Sequence, residues 1–187
     1  MSFLTSSVGI VKLQDILITN PDLATELEIV LFTSATQPGG IRDHYKLVID
    51  DLLTDTALVP LTLTFHKYSD VGYLGAPNYN YMRSQRGGNV LGDAVASIEL
   101  FATLPIAPLM SSFNVDIHMS DTSGLNNSVT WAGASYIAGP LFSSVFGAGN
   151  CSSNLPIDKI KIAVGAGTFS ARFRLYAYDS NAAYVYP

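Results

Sequence analysis

The sequence is short of charged residues. Asp, Glu, Lys and Arg make up 13% of the 187 residues, about half the usual share, whereas Ser, Thr and Asn together number 42. The ten Lys and Arg are scattered and the net charge is −5, so the basic patch that binds a phosphate backbone is missing and we expect no nucleic-acid partner. A polar but mostly uncharged surface is typical of a subunit in an assembly, or of a protein that contacts uncharged glycans.

Cysteine and long apolar runs are also scarce. The single cysteine, Cys151, excludes an internal disulfide. No window approaches the roughly 18 consecutive apolar residues of a membrane span, and the amino terminus lacks the basic start of a secretory signal, so we expect no membrane partner. The length has room for one domain with an appended arm, and such a domain buries a sufficient core without a disulfide or a metal.

Helical periodicity is almost absent, and alternation with a period of two runs through most of the chain. The clearest case places Phe113, Val115 and Ile117 on one face of a strand and polar residues on the other. This pattern predicts an all-β fold, a two-sheet antiparallel β-sandwich of jelly-roll type. We predict an amino-terminal arm or anchor over residues 1–37 and the sandwich over residues 38–187.

Clusters of Gly, Asn, Asp and Pro predict turns between these strands. They are Gln37-Pro38-Gly39-Gly40, Arg86-Gly87-Gly88-Asn89, Asp121-Thr122-Ser123-Gly124, Gly147-Ala148-Gly149-Asn150 and Gly165-Ala166-Gly167.

The residues that usually carry catalysis are few and dispersed. His44, His66 and His118 fall on the polar faces of three different strands, without the spacing of metal ligands. The acidic stretch from Asp50 to Asp55 lacks the spacing of a calcium loop and is predicted to end a strand in a turn. We therefore expect no catalytic residue, metal or cofactor.

Aromatic and amide side chains are the remaining candidates for a binding site. Rings stack on the apolar faces of sugars while amides hydrogen-bond to hydroxyl groups, so such a set is typical of a glycan site or a protein interface. The alternative is that the only Trp belongs to the core and that the Tyr residues are ordinary strand residues. The candidates are Tyr73, Asn78, Tyr79, Asn80, Tyr81, Trp131 and Tyr136.

Several stretches resemble a β-sandwich domain common in tail-fibre and other virion proteins of tailed bacteriophages, over about residues 38 to 178. The most specific stretch is the closing pair, in which a Gly-rich turn leads to a strand with Phe173 and Leu175 facing inward and Arg172 and Arg174 outward. The stretches are 44–50 (HYKLVID), 61–65 (LTLTF), 78–81 (NYNY), 128–131 (SVTW), 157–162 (IDKIKI) and 167–176 (GTFSARFRLY).

The resemblance implies a non-enzymatic structural protein of a virion, assembled in the host cytoplasm. The first expectation is a tail fibre, baseplate or adhesin component that contacts host surface glycans. It would associate with other virion proteins and with itself, and particle symmetry favours a homotrimer. The alternatives are a capsid decoration protein that stabilises the head, or a soluble lectin-like protein. A glycan-cleaving enzyme using a carboxylate such as Asp116 or Glu99 is a further rival.

Overall fold

The described part of the chain folds into twelve β-strands. A computed structural model describes residues 9–19, 23–31, 44–67, 72–85, 88–119, 127–138, 141–152 and 157–179. These residues contain no helix long and apolar enough to cross a lipid bilayer. The strands are β1 (Gly9–Ile18), β2 (Glu26–Val30), β3 (His44–Thr54), β4 (Val59–Lys67), β5 (Tyr79–Gln85), β6 (Gly88–Val95), β7 (Ile98–Leu104), β8 (Ser111–His118), β9 (Asn127–Ala138), β10 (Leu141–Cys151), β11 (Ile157–Val164) and β12 (Phe169–Asp179).

The strands form two antiparallel sheets that face each other. The larger has the order β1-β12-β3-β8-β9-β10-β5-β6 and the smaller has the order β2-β11-β4-β7. The apolar residues of the two inner faces form one buried cluster between them. This arrangement confirms the all-β sandwich predicted from the sequence.

Alternation along the strands sets which side chains enter the core. Phe113, Val115 and Ile117 of β8 are fully buried, as predicted. In β12, Phe173 and Leu175 are buried, whereas Arg172 is exposed on the outer face. The Gly165 to Gly167 turn joins β11 to β12 as predicted, and Gly167 has a φ of 70°, which favours glycine.

The segment predicted as an arm contributes a strand to each sheet. β1 pairs with β12 along the edge of the larger sheet, and β2 pairs with β11 along the edge of the smaller sheet. Ile29 is 1% exposed. The described part of this segment is therefore integral to the sandwich, while the boundary between residues 37 and 38 lies outside the described residues.

The prediction of a turn from Gly147 to Asn150 is wrong, because these residues lie inside β10. A Cβ atom at Gly147 would come within 2.2 Å of the Trp131 ring on the neighbouring strand. Glycine is required here because a side chain would overlap the aromatic ring. The strand runs through these residues without a turn.

Polar contacts connect the two sheets beneath β5 and β9. The Arg83 guanidinium of β5 is buried and forms an ion pair with Glu99 of β7. The Trp131 indole Nε1 donates a 2.9 Å hydrogen bond to the carbonyl oxygen of Leu100. These contacts hold β5 and β9, and the outer surface above them, firmly on the smaller sheet.

Candidate functional site

Two of the candidate residues, Tyr79 and Trp131, belong to the core. Tyr79 is 0% exposed, and its hydroxyl oxygen accepts a 2.7 Å hydrogen bond from the backbone N–H of Phe65. Trp131 is 3% exposed. Their rings fill the space between the sheets and are not available to a ligand at the surface.

Tyr73 and Asn78 lie in the segment that precedes β5. The Tyr73 hydroxyl donates a 2.6 Å hydrogen bond to Glu28, and the Lys161 ammonium lies 4.7 Å from the centre of its ring. Burial, followed by the Glu28 contact, raises the pKa of Tyr73. Asn78 donates a 2.7 Å hydrogen bond to the carbonyl oxygen of Gly75. Both residues are held by contacts with their own surroundings. They do not join the remaining candidates.

Tyr136 lies alone among the candidates, on the outer face of β9. Its ring is exposed and stands edge-on to Phe142 of β10, with ring centres 5.7 Å apart. Tyr136 therefore belongs to a surface near the junction of β9 and β10.

Asn80 and Tyr81 meet at a shallow groove of about 540 Å³ in the larger sheet. Four strands supply its walls: β5, β6, β9 and β10. The groove is lined by Asn80, Tyr81, Met82, Leu91, Gly92, Asp93, Ser128, Ala148, Gly149 and Asn150.

One side of the groove is polar. Asn80 lies directly opposite Asn150, which in turn lies opposite Ser128, so one row across three strands carries two amides and a hydroxyl. The Asn80 Oδ1 atom accepts a 2.8 Å hydrogen bond from the N–H of Ala94, which orients this amide and leaves its N–H₂ group as a donor. Asn150 Oδ1 is buried and has no hydrogen-bond partner in the described part of the chain.

The other side of the groove is apolar. Met82 lies opposite Leu91 on β6 and opposite Ala148 on β10. The Met82 side chain is 53% exposed and that of Leu91 is 75% exposed. Together these side chains offer a hydrophobic wall beside the row of amides.

Among the described residues that line the groove, Asp93 is charged and none is Lys or Arg. An anionic ligand would therefore meet a carboxylate with no compensating cation. The groove is suited to a neutral ligand that offers both hydroxyl groups and an apolar face.

Tyr81 connects the groove to the core. Its ring packs edge-on against Trp131 with centres 6.4 Å apart, and it covers Gly92, where a Cβ atom would come within 2.3 Å of the ring. Burial, followed by the nearby Glu99 carboxylate, raises the pKa of Tyr81. The sequence signal for this close approach was Gly92 itself. Its role can be recognised only when β5 and β6 are known to pair.

Sequence reasoning also missed a ring stack on the outer face of β12, β3 and β8. His44 lies opposite His118, and its ring centre is 4.1 Å from that of His118 and 4.1 Å from that of Tyr178. His44 Nε2 lies 3.3 Å from Asp116 Oδ1. Among the described residues no group of three or more His, Cys, Asp or Glu side chains is placed to hold a metal ion.

The residues considered for catalysis do not converge. Asp116 lies beside His44 on the outer face of the larger sheet, whereas Glu99 contacts the inward-facing Arg83. Cys151 is 0% exposed, and burial raises the pKa of its thiol to about 12. A buried thiol of this kind packs as a small apolar residue.

No protein-family model, no curated protein and no solved structure matches this chain. The resemblance to the bacteriophage virion domain therefore stays a prediction from the sequence.

Proposed function

We propose that this chain is a non-enzymatic structural protein of a tailed-bacteriophage virion, and that it contacts neutral host-surface glycans through the groove of β5, β6, β9 and β10. The observation that carries the glycan part is the pairing of an uncharged amide and hydroxyl row with an exposed apolar wall. The role in a tail fibre, baseplate or adhesin rests on the sequence resemblance.

The chemistry of a sugar ring supports this assignment. A neutral hexose presents C–H groups on one face and hydroxyl groups around its rim, so it needs an apolar wall beside hydrogen-bond donors and acceptors. Met82 and Leu91 provide the wall, while Asn80, Ser128 and the Asp93 carboxylate provide hydrogen-bonding groups. The openness of the groove suits the end or the edge of a surface polysaccharide.

The dispersal of carboxylates supports a non-enzymatic role. Glycoside hydrolysis by the common mechanisms needs two carboxyl groups roughly 5–9 Å apart on either side of one bond. In the described part of the chain, Asp93 is the one carboxylate that lines the groove. Binding without cleavage is the activity that this groove favours.

The binding experiment uses an array of neutral hexose and N-acetylhexosamine oligosaccharides beside sialylated and sulfated ones. We expect neutral glycans to be retained and acidic ones to be rejected. Asp93→Ala and Asn80→Ala should each weaken binding by about tenfold, because each removes hydrogen bonds worth roughly 1.4 kcal/mol. Asn114→Ala is the matched control, since Asn114 is exposed on β8 outside the groove.

Retention of acidic glycans, or equal binding by all three variants, would contradict the assignment of the groove.

The virion role is tested separately by immunogold electron microscopy of particles with antibody against the chain. Label at the tail supports a fibre, baseplate or adhesin component, label over the head identifies a capsid decoration protein, and particles without label refute the virion role.

A further inference from the structure

The pairing of β5 with β6 is irregular at the groove. Between two regular pairs, one residue of β5, Asn80, faces two residues of β6, Asp93 and Ala94. Ala94 has a φ of 52°, in the left-handed region that residues other than glycine seldom occupy. This irregularity is a β-bulge, a feature that re-aims side chains and is over-represented beside functional sites.

The bulge fixes the direction of the Asn80 amide. The N–H of Ala94 donates a 2.8 Å hydrogen bond to Asn80 Oδ1. Reversing the amide would set two donors against each other, so the backbone N–H holds a single orientation. The hydrogen-bonding group that Asn80 offers to a ligand is therefore its N–H₂ donor.

The same bulge sets a hydrogen-bond acceptor beside this donor. Asp93 is exposed and lines the groove with Asn80. An ionised carboxylate only accepts hydrogen bonds. Neighbouring strands lie about 4.8 Å apart, so a ligand meets a donor on β5 and an acceptor on β6 at about that separation.

An apolar pair follows on the same two strands. Met82 of β5 lies directly opposite Leu91 of β6, and both side chains are exposed in the groove. Each is two residues from the polar pair, which is about 7 Å along a strand. Along β5 and β6 the groove thus offers a donor beside an acceptor, and then an apolar surface.

We infer that this part of the groove binds the acetamido group of an N-acetylhexosamine, an inference that rests on the proposed glycan site. A secondary amide is planar and trans, so its carbonyl and its N–H point in opposite directions. The carbonyl oxygen accepts a hydrogen bond from the Asn80 N–H₂ group, and the N–H donates to the Asp93 carboxylate. The methyl group packs on Met82 and Leu91.

A plain hexose matches this arrangement less well. Its hydroxyl group at the same carbon can both donate and accept, but it brings no methyl group to Met82 and Leu91. The apolar pair one row from the polar pair therefore favours the acetamido sugar. Acidic sugars are disfavoured because their carboxylate would face that of Asp93.

Isothermal titration calorimetry of the full chain with matched sugars tests this inference. Tri-N-acetylchitotriose and cellotriose share their linkages and differ in the acetamido or hydroxyl group at C2, and N-acetylgalactosamine and galactose form a second such pair. We expect an acetamido sugar to bind at least about tenfold more tightly than its hydroxyl partner, because it adds a fixed acceptor and donor and an apolar contact.

Asn80→Asp is the sharpest variant. It keeps an oxygen for the N–H of Ala94 and removes the donor, so it should weaken binding of the acetamido sugar at least about tenfold. Asn114→Asp makes the same change at an exposed position of β8 outside the groove and is the matched control. Circular dichroism checks the fold of both variants.

If Asn80→Asp does not fold, Leu91→Ser replaces it. Leu91 is 75% exposed, so its substitution leaves the core intact and removes part of the surface on which the methyl group packs. The preference for the acetamido sugar over its hydroxyl partner should then fall at least about threefold. An unchanged preference in this variant would overturn the inference.

The outcomes separate this inference from the proposed function. If neither acetamido sugar binds more tightly than its partner, while neutral glycans are retained on the array, the acetamido site is refuted and the glycan groove stands. The same holds if Asn80→Asp binds the acetamido sugars as tightly as Asn114→Asp. If the array retains no neutral glycan, the proposed glycan site fails and this inference fails with it.

Discussion

At the residue scale, aromatic side chains of the larger sheet lie over glycines on neighbouring strands. Without a Cβ atom, the glycine leaves the space that the ring occupies, so the sheet accepts rings near its inner face without strain. One of these glycines, Gly147, belonged to a turn predicted from the sequence. The directly opposite pairs are Phe113 with Gly133, Trp131 with Gly147 and Tyr81 with Gly92.

Gly147→Val tests this packing. A side chain at this position would overlap the Trp131 ring and force it from the core, so we expect a loss of roughly 1–3 kcal/mol in the free energy of unfolding. Urea unfolding measures it. Ser144→Val, at an exposed outward position of the same strand, should change stability by less than about 0.5 kcal/mol. Equal effects of both substitutions would contradict a specific ring–glycine contact.

At the scale of elements, the described part of the segment before residue 38 belongs to the sandwich. β1 and β2 close one edge of each sheet, and the inward side chains of β2 join the common core. The alternation of Leu27, Ile29 and Leu31 was visible in the sequence as a strand. Its partner, β11, is more than a hundred residues away along the chain, and the period alone does not identify such a partner.

Ile29→Ala distinguishes an integral strand from a detached arm. Ile29 is 1% exposed, and its truncation should cost about 2–4 kcal/mol of unfolding free energy by leaving a cavity. Ile10→Ala, at a 60% exposed position of β1, should cost less than about 0.5 kcal/mol. Thermal or urea unfolding measures both variants. If Ile29→Ala leaves the free energy of unfolding unchanged, β2 is dispensable for the fold.

At the scale of the whole molecule, one carboxylate ties together the turns at one end of the sandwich. Asp55, between β3 and β4, accepts hydrogen bonds from the N–H of Thr168 at 2.8 Å and from its hydroxyl at 2.7 Å. Thr168 directly precedes β12. These bonds, the backbone one first, lower the pKa of Asp55 from its usual 3.8. Hydrogen bonds also lower the pKa of Asp15, through Arg172, and of Glu28, through Tyr73.

The stability of the protein should consequently fall in acid. A carboxylate with a lowered pKa in the folded state stabilises the fold above its unfolded pKa, and this stabilisation is lost as the pH falls through the lower folded value. We expect the melting temperature to drop from about pH 5 towards about pH 2, and Asp55→Asn to make that drop shallower.

Thr168→Val is the companion variant for this prediction, since it removes the hydroxyl donor while leaving the carboxylate in place. It should make the fall of the melting temperature in acid partly shallower. The double variant, Asp55→Asn with Thr168→Val, should differ little from Asp55→Asn alone. If the melting temperature of Asp55→Asn falls in acid as steeply as that of the unsubstituted chain, a contribution from this turn is contradicted.

The sequence by itself determined the fold class and the faces of most strands, because a period of two assigns each residue to one side of a sheet whatever its neighbours are. It also determined the scarcity of charge that leaves β9 and β10 uncharged. The tertiary structure alone decided which strands lie side by side, and so which side chains meet: Asn80 with Asn150, His44 with His118, and Trp131 with the core rather than the surface. Strand pairing is set by contacts between residues far apart in the chain, and alternation carries no record of which strand pairs with which.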